Sequence, residues 1–168
     1  LLSEYFINQN IVMDKTYFPF YGRTSPLSNF FASPFHWKLT SYTCAEQWLM
    51  AEKARLFGDT KALQHILELT DPLQMKRAGR NVRNFDQAMW DENKRDIMTA
   101  GLLHKFRQND HCKQYLAQTG NSIIVEASYD RVWGAGLTIS DQRIYDQSLW
   151  RGENLLGFVL MEVRDRLC

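Results

Sequence analysis

Apolar and polar positions change their period several times along the chain. Between Tyr17 and Tyr42, short apolar stretches (FPFY, then FFASPFHW) are broken by Pro19, Pro26 and Pro34, which predicts short strands and turns. At Thr43 the period lengthens. TCAEQWLMAEKARLF reads as a helix that stops near Gly58, and its opening TCAE has the form of a capping box, with Thr43 and Glu46 serving each other's backbone N–H groups. Asp59 caps a second helix, TKALQHILEL, and Asp71-Pro72 opens a short third one that Gly79 ends. The longest helix starts at Asp86 and runs through AMWDENKRDIMTAGLLHKFRQ, where Trp90, Met98, Leu102 and Phe106 recur near one face. HCKQYLAQ is a further short helix ending at Thr119-Gly120. SIIVEA is the clearest strand, and a polar loop from Thr138 to Gly152 leads into a final amphipathic helix, NLLGFVLMEVRDRL. Several helices and a few short strands without βαβ alternation predict one compact, predominantly helical α+β domain.

Length changes little in that picture: 168 residues suit a single domain. The expected boundaries are 17–168 for the domain, with 1–16 an N-terminal arm or extraneous residues. That first segment lacks the basic start, long apolar run and cleavage pattern of a signal peptide. Lys and Arg number 20 against 19 Asp and Glu, so a strongly basic nucleic-acid module is excluded, although a local basic groove is not. Cys44, Cys112 and Cys168 are odd in number and form no metal-binding spacing, which suggests reduced thiols and a cytoplasmic setting. No apolar run approaches the ~18 residues of a membrane span.

Three stretches carry candidate chemistry. On the first helix, Glu46 and Lys53 project the same way, ~10 Å apart along the axis. They are either a cap and a solvated charge, or a carboxylate and an amine facing one pocket. RAGRNVRNF groups Arg77, Arg80, Asn81 and Arg83 around Gly79. This is either a solvated turn or a set of forks for phosphate or carboxylate. No GxxxxGK[ST] or GxGxxG stretch supports a nucleotide cradle of those kinds. In IVEASYDRVWGAG, a strand delivers Glu126, and Asp130, Trp133, Gly134 and Gly136 follow. Two carboxylates beside an aromatic suit the cleavage of a sugar bond next to a planar base, and a solvated strand end with an Asp turn fits the spacing equally well.

FYGRTSPLSNFFASPF, YTCAEQWLMAEKARLFGD, AGRNVRNFDQAMWDENKRDIM, LLHKFRQN, LAQTGNSIIVEASYDRVWGAGL and GENLLGFVLMEVRDRL occur in the order seen in the NADAR family, named for NAD and ADP-ribose, within the YbiA-like N-glycosidase superfamily. The chain resembles that family from about Tyr17 to Cys168. The resemblance implies a mostly helical α+β domain that cleaves N-glycosidic bonds to ribose. Two substrate classes go with it: ADP-ribose on guanine bases of single-stranded DNA or RNA, and the phosphorylated ribosylamino-pyrimidines of riboflavin synthesis. It implies catalytic roles for Glu46, Lys53, Glu126 and Asp130, and substrate contacts from Asn29, Phe30, Arg80, Trp90, Trp133, Gly134 and Asn154. Where many relatives read Glu-His, this chain has Glu46-Gln47. The loop from Thr138 to Gly152 is longer than the short link expected of the riboflavin-intermediate branch: either Trp150 and Arg151 cover a larger ligand, which favours the ADP-ribosyl substrate, or it is a polar loop with no ligand to cover.

The expected mechanism sets Glu126 or Asp130 against the positive charge that grows at C1, with Glu46 handling protons. Lys53 orients the sugar or forms a transient imine. Arg80 and Asn29 hold phosphate or ribose hydroxyls, and Trp133 or Trp90 stacks on the base. Neither cofactor nor metal ion is expected, nor any membrane association. The rival reading is a module that binds ADP-ribose without turnover.

Overall fold

The computed structural model describes residues 16–168. Residues 1–15, and with them most of the expected N-terminal arm, lie outside the described residues. In chain order the elements are β1 (Tyr17–Phe20), β2 (Phe35–Trp37), β3 (Thr40–Tyr42), α1 (Ala45–Leu56), α2 (Thr60–Glu68), α3 (Pro72–Arg80), α4 (Gln87–Gln108), α5 (Asp110–Gln118), β4 (Ile123–Glu126) and α6 (Leu155–Leu167). Short 3-10 turns at Gln142–Tyr145 and Gln147–Leu149 interrupt the loop before α6. The predominantly helical α+β class is as expected. No helix among the described residues is long and apolar enough to cross a membrane.

The strands form two separate pairs: β2 with β3, antiparallel, and β1 with β4, parallel, joined only after five helices have intervened. In the parallel pair Phe20 lies opposite Glu126, and Pro19 lies within β1 opposite Val125. Pro19 therefore does not break the strand as expected. Among the described residues β1 has a single neighbour, so a residue without an N–H is tolerated there.

Side chains alternate across β4. Ile124 belongs to the main core with Leu102, Phe106, Leu156 and Leu160 of α4 and α6, whereas Val125 packs with Ala127, Ala135, Leu137 and Ile144 on the opposite face. By the same alternation Glu126 returns to the helical side. Asp59, Asp71 and Asp86 cap α2, α3 and α4 as anticipated, each accepting from a backbone N–H of the first turn.

Two expectations about helix ends are corrected. Gly79 does not end α3 but lies inside it, where an added Cβ would stand 1.9 Å from the Met50 sulfur, so it is the point of close approach between α1 and α3. The capping box is absent. Cys44 occupies the N-cap of α1, and it is Gln47 whose Oε1 accepts from the Thr43 N–H and hydroxyl, at 2.8 and 3.1 Å. Glu46 is thereby released from the capping role.

Candidate active site

Where β1 and β4 end side by side, the chain leaves both strands in turns that wall a cleft of about 540 Å³. Tyr21, Gly22 and Arg23 come from the end of β1, Ser28, Asn29 and Phe30 from the following turn, and Glu46 from the first turn of α1. Lys76 comes from α3, and Glu126, Ser128, Asp130 and Trp133 from the end of β4. A shallower hollow of about 400 Å³ between α2 and α3, bordered by His65, Leu69 and Arg77, holds no carboxylate.

The sequence-predicted residues divide. Glu46, Glu126, Asp130, Asn29, Phe30 and Trp133 all meet in the cleft. Gly134 lies behind it: a Cβ there would stand 2.2 Å from the Ser128 hydroxyl and 3.1 Å from the Glu126 carbonyl, so its bareness lets the loop close on the strand. Asn154, fully buried, brackets β4 from below, accepting from the Glu126 N–H and donating to the Ile124 carbonyl, each at 2.9 Å. Both position the carboxylate and do not line the cleft.

Arg80 is exposed on α3, near enough to bear on the charge of Glu46 but outside the lining. Lys53 and Trp90 sit elsewhere: the Lys53 ammonium lies 4.3 Å from the centre of the Phe85 ring and 5.4 Å from that of Trp90. Partial burial lowers the pKa of this amine. Trp150 and Arg151 do not cover the cleft either. The Trp150 indole donates to the Ile144 carbonyl and packs edge-on to Tyr17, so the long loop fills the opposite face of the β1–β4 pair.

Lys76 went unnoticed in the sequence. It stands four residues before Arg80, hence on the same helical face, and that spacing was a usable signal. Its ammonium donates to Asp130 Oδ2 at 3.3 Å. The other oxygen of Asp130 accepts from the Val132 and Trp133 N–H groups, both at 3.0 Å. Burial alone would raise the Asp130 pKa, but these two amides and Lys76 outweigh it and hold the carboxyl below its ordinary range. Asp130 is thus a committed anion with both oxygens engaged.

Glu46 and Glu126 are the opposite. Glu46 is 4 % exposed, and its side chain makes no hydrogen bond among the described residues. Burial, aggravated by Asp130, pushes it up to about 7 against the pull of Lys76 and Arg80. Burial likewise raises Glu126 to about 7, with Asp130 and Glu46 adding to the shift and Lys76 opposing it. Two carboxyls in one cleft, both raised to about 7, are suited to serve as one acid and one base near neutrality.

Three buried side-chain atoms among the described residues lack any hydrogen-bond partner: Asn29 Oδ1, Glu126 Oε2 and Ser128 Oγ. All three belong to residues that line this cleft. Buried polar atoms are nearly always paired, so three orphans converging on one hollow mark a place shaped for a polar ligand.

A profile of the NADAR domain matches residues 17–168. The N-glycosidase R617 of Acanthamoeba polyphaga mimivirus is 44% identical over 129 residues, 76% of each chain. The protein irg-1 of Caenorhabditis elegans is 37% identical over 170 residues, covering 91% of this chain and 80% of that one. An NMR structure of the E. coli protein YbiA superposes with a TM-score of 0.74 at 28% identity, over 95% of this chain and 90% of that chain. By the extent of the profile match and the identity to these relatives, this chain belongs to the NADAR domain family.

Proposed function

We propose that this protein is an N-glycosyl hydrolase that breaks the C1–N bond of a phosphorylated ribose, with ADP-ribose on guanine bases of nucleic acid as its substrate. The observation that carries the hydrolase reading is the pair of buried carboxyls, Glu46 and Glu126, both raised to about 7 in a cleft with unsatisfied polar walls. The N-glycosidase names of relatives support it.

In the mechanism, Glu126 in its ionised form faces C1, because its Oε2 is free while both oxygens of Asp130 are occupied. Protonated Glu46 gives its proton to the departing nitrogen, which keeps the electron pair of the broken bond. Positive charge grows on the sugar, and Glu126 stabilises it at short range. Water then adds to C1 and passes a proton to Glu126. The Asn29 amide and Ser128 hydroxyl serve ribose hydroxyls, Lys76 and Arg80 draw in phosphate, and Trp133 stacks on the base.

Support for a nucleic-acid substrate comes from the rim. Tyr21 and Tyr129 leave the adjacent ends of β1 and β4 with 65 and 80 % of their surface exposed, and Arg23 beside Tyr21 is also exposed. The Tyr129 ring lies outside the cleft lining, where it adds nothing for a metabolite held within, whereas a neighbouring base of a strand stacks on such a face. A second reading, cleavage of ribosylamino-pyrimidine phosphates, is favoured by similarity to a Vibrio vulnificus protein named as a riboflavin biosynthesis protein. That protein is 27% identical over 142 residues, 84% of this chain and 35% of its own length. The test offers the protein an oligonucleotide bearing ADP-ribosyl-guanine and, separately, the ribosylamino-pyrimidine phosphate, with products read by mass spectrometry. Release of ADP-ribose and unmodified oligonucleotide is expected. Cleavage of the pyrimidine alone supports the second reading, and turnover of neither defeats both.

A further inference from the structure

The longest helix hides a cation that the mechanism does not use. Lys105 on α4 has no exposed surface and no ion-pair partner among the described residues. Its ammonium donates to one atom, the Ser28 carbonyl oxygen, at 2.9 Å. Around it are the rings of Phe106 and Phe31, with centres 5.1 and 5.9 Å away, and two thiols, Cys112 and Cys44, near enough to act on its charge. Burial brings the amine down to about 8. An ammonium without a counter-ion is an expensive core residue, and an apolar side chain of similar volume would fill the space at lower cost. Its retention calls for a use other than stability.

What the ammonium touches supplies that use. The Ser28 carbonyl also accepts from the Phe31 N–H at 3.2 Å, and the Ser28 hydroxyl accepts from the Phe30 N–H at 3.1 Å, so residues 28–31 form a closed turn. On its other side the turn is tied to α1, where the Glu46 N–H donates to the Asn29 carbonyl at 3.0 Å. Between these two ties lies Asn29, with its side-chain oxygen buried and unpartnered in the cleft. Lys105 holds the Ser28 carbonyl, and the backbone N–H of Glu46 holds the Asn29 carbonyl beside it.

We propose that Lys105 is a positioning residue: its ammonium fixes the Ser28 carbonyl and so sets the turn that aims the Asn29 side chain at the substrate. This rests on the cleft being the site of the ribosyl substrate. Lys105→Met keeps the volume and removes the donor. The variant is expected to melt no lower than the native protein, to raise KM about tenfold or more, and to change kcat less. Because Lys105 acts through Asn29, the double variant Lys105→Met/Asn29→Ala should lose no more than Asn29→Ala alone. Losses that multiply would overturn the proposal, as would native KM in Lys105→Met. Should Lys105→Met fail to fold, Lys105→Gln takes its place, and failure of both would also overturn it, since the lysine would then be holding the core. Amide hydrogen exchange requires no turnover, so it separates this inference from the hydrolase reading. Faster exchange confined to residues 28–31 and the first turn of α1 supports the clamp even if no substrate is cleaved, and unchanged exchange contradicts it.

Discussion

Glu46 and Gln47 are neighbours in the first turn of α1, both buried, and they are held in opposite ways. Gln47 faces the scaffold. Its Oε1 takes the Thr43 N–H and hydroxyl, and its Nε2 donates to the Ile66, Leu67 and Leu69 carbonyls, binding the start of α1 to the end of α2. Glu46 faces the cleft and has charged neighbours but no hydrogen-bonded partner among the described residues. The contrast recurs at the end of β4, where Asn154 is fully engaged beneath the strand and Glu126 Oε2 is left open above it. Among the described residues, every fully buried side-chain nitrogen or oxygen outside the cleft has a hydrogen-bond partner. In the cleft, groups are kept unspent at a cost in stability, which is how a site retains capacity for a substrate.

The largest effect that tests this division is on catalysis. Glu46→Gln should lower kcat by ~10²-fold or more, since a proton donor acts in the transition state, while the melting temperature stays or rises because a buried carboxyl has been removed. Calorimetry beside a rate assay checks both, and a large loss of stability with an intact rate would make Glu46 part of the scaffold. Gln47→Ala should do the reverse. It strands buried carbonyls at the end of α2 and should cost about 1–3 kcal/mol of stability, with kcat in the surviving folded protein close to native. Urea unfolding followed by circular dichroism measures it.

A smaller effect is expected at the rim. Tyr129→Ala should weaken KM for a modified oligonucleotide about tenfold, within the range of stacking on one base, and leave a free ADP-ribosyl nucleoside unaffected, whereas Tyr21→Ala, in the cleft wall, should weaken both. Equal losses on both substrates in Tyr129→Ala would take that tyrosine out of strand recognition.

The smallest effect is a shift in titration. Lys76 lowers both glutamic acids, so Lys76→Met should move the pH profile of kcat/KM upward and change the rate at pH 7 by less than tenfold. The same shifts bear on stability. Both carboxyls titrate near 4.5 when unfolded and near 7 when folded, so the native state binds more protons between those values. Stability should therefore fall as pH rises from about 4.5 to 7 and level off above, and Glu126→Gln should flatten that slope.

Much of the fold was legible because helices announce their starts and their buried faces. Asp59, Asp71 and Asp86 cap where the sequence placed them, and Trp90, Met98, Leu102 and Phe106 are all buried on α4. Local patterns misled where tertiary contacts overrode them. Gly79 reads as a stop but serves the approach of Met50, and TCAE reads as a capping box although Gln47, one residue on, makes the bonds. In the site, Glu126 was visible as the last residue of an apolar strand, and alternation alone puts it on the helical side. Its pairing with Glu46 joins residues eighty apart and required the fold. Lys53 shares a helix with Glu46 and was grouped with it for that reason, yet two turns of helix carry it to the Phe85 and Trp90 rings. Lys105 gave no signal, because a lysine in a charged helix is ordinarily solvated.

The most direct test of the central claim compares native protein with Glu126→Gln on the ADP-ribosylated oligonucleotide, measuring both single-turnover rate and binding of free ADP-ribose. A carboxylate that stabilises C1 only as charge develops there predicts a rate lower by ~10²-fold or more with ADP-ribose affinity nearly unchanged. Native turnover in Glu126→Gln would contradict the account and leave the cleft a binding site whose chemistry lies elsewhere.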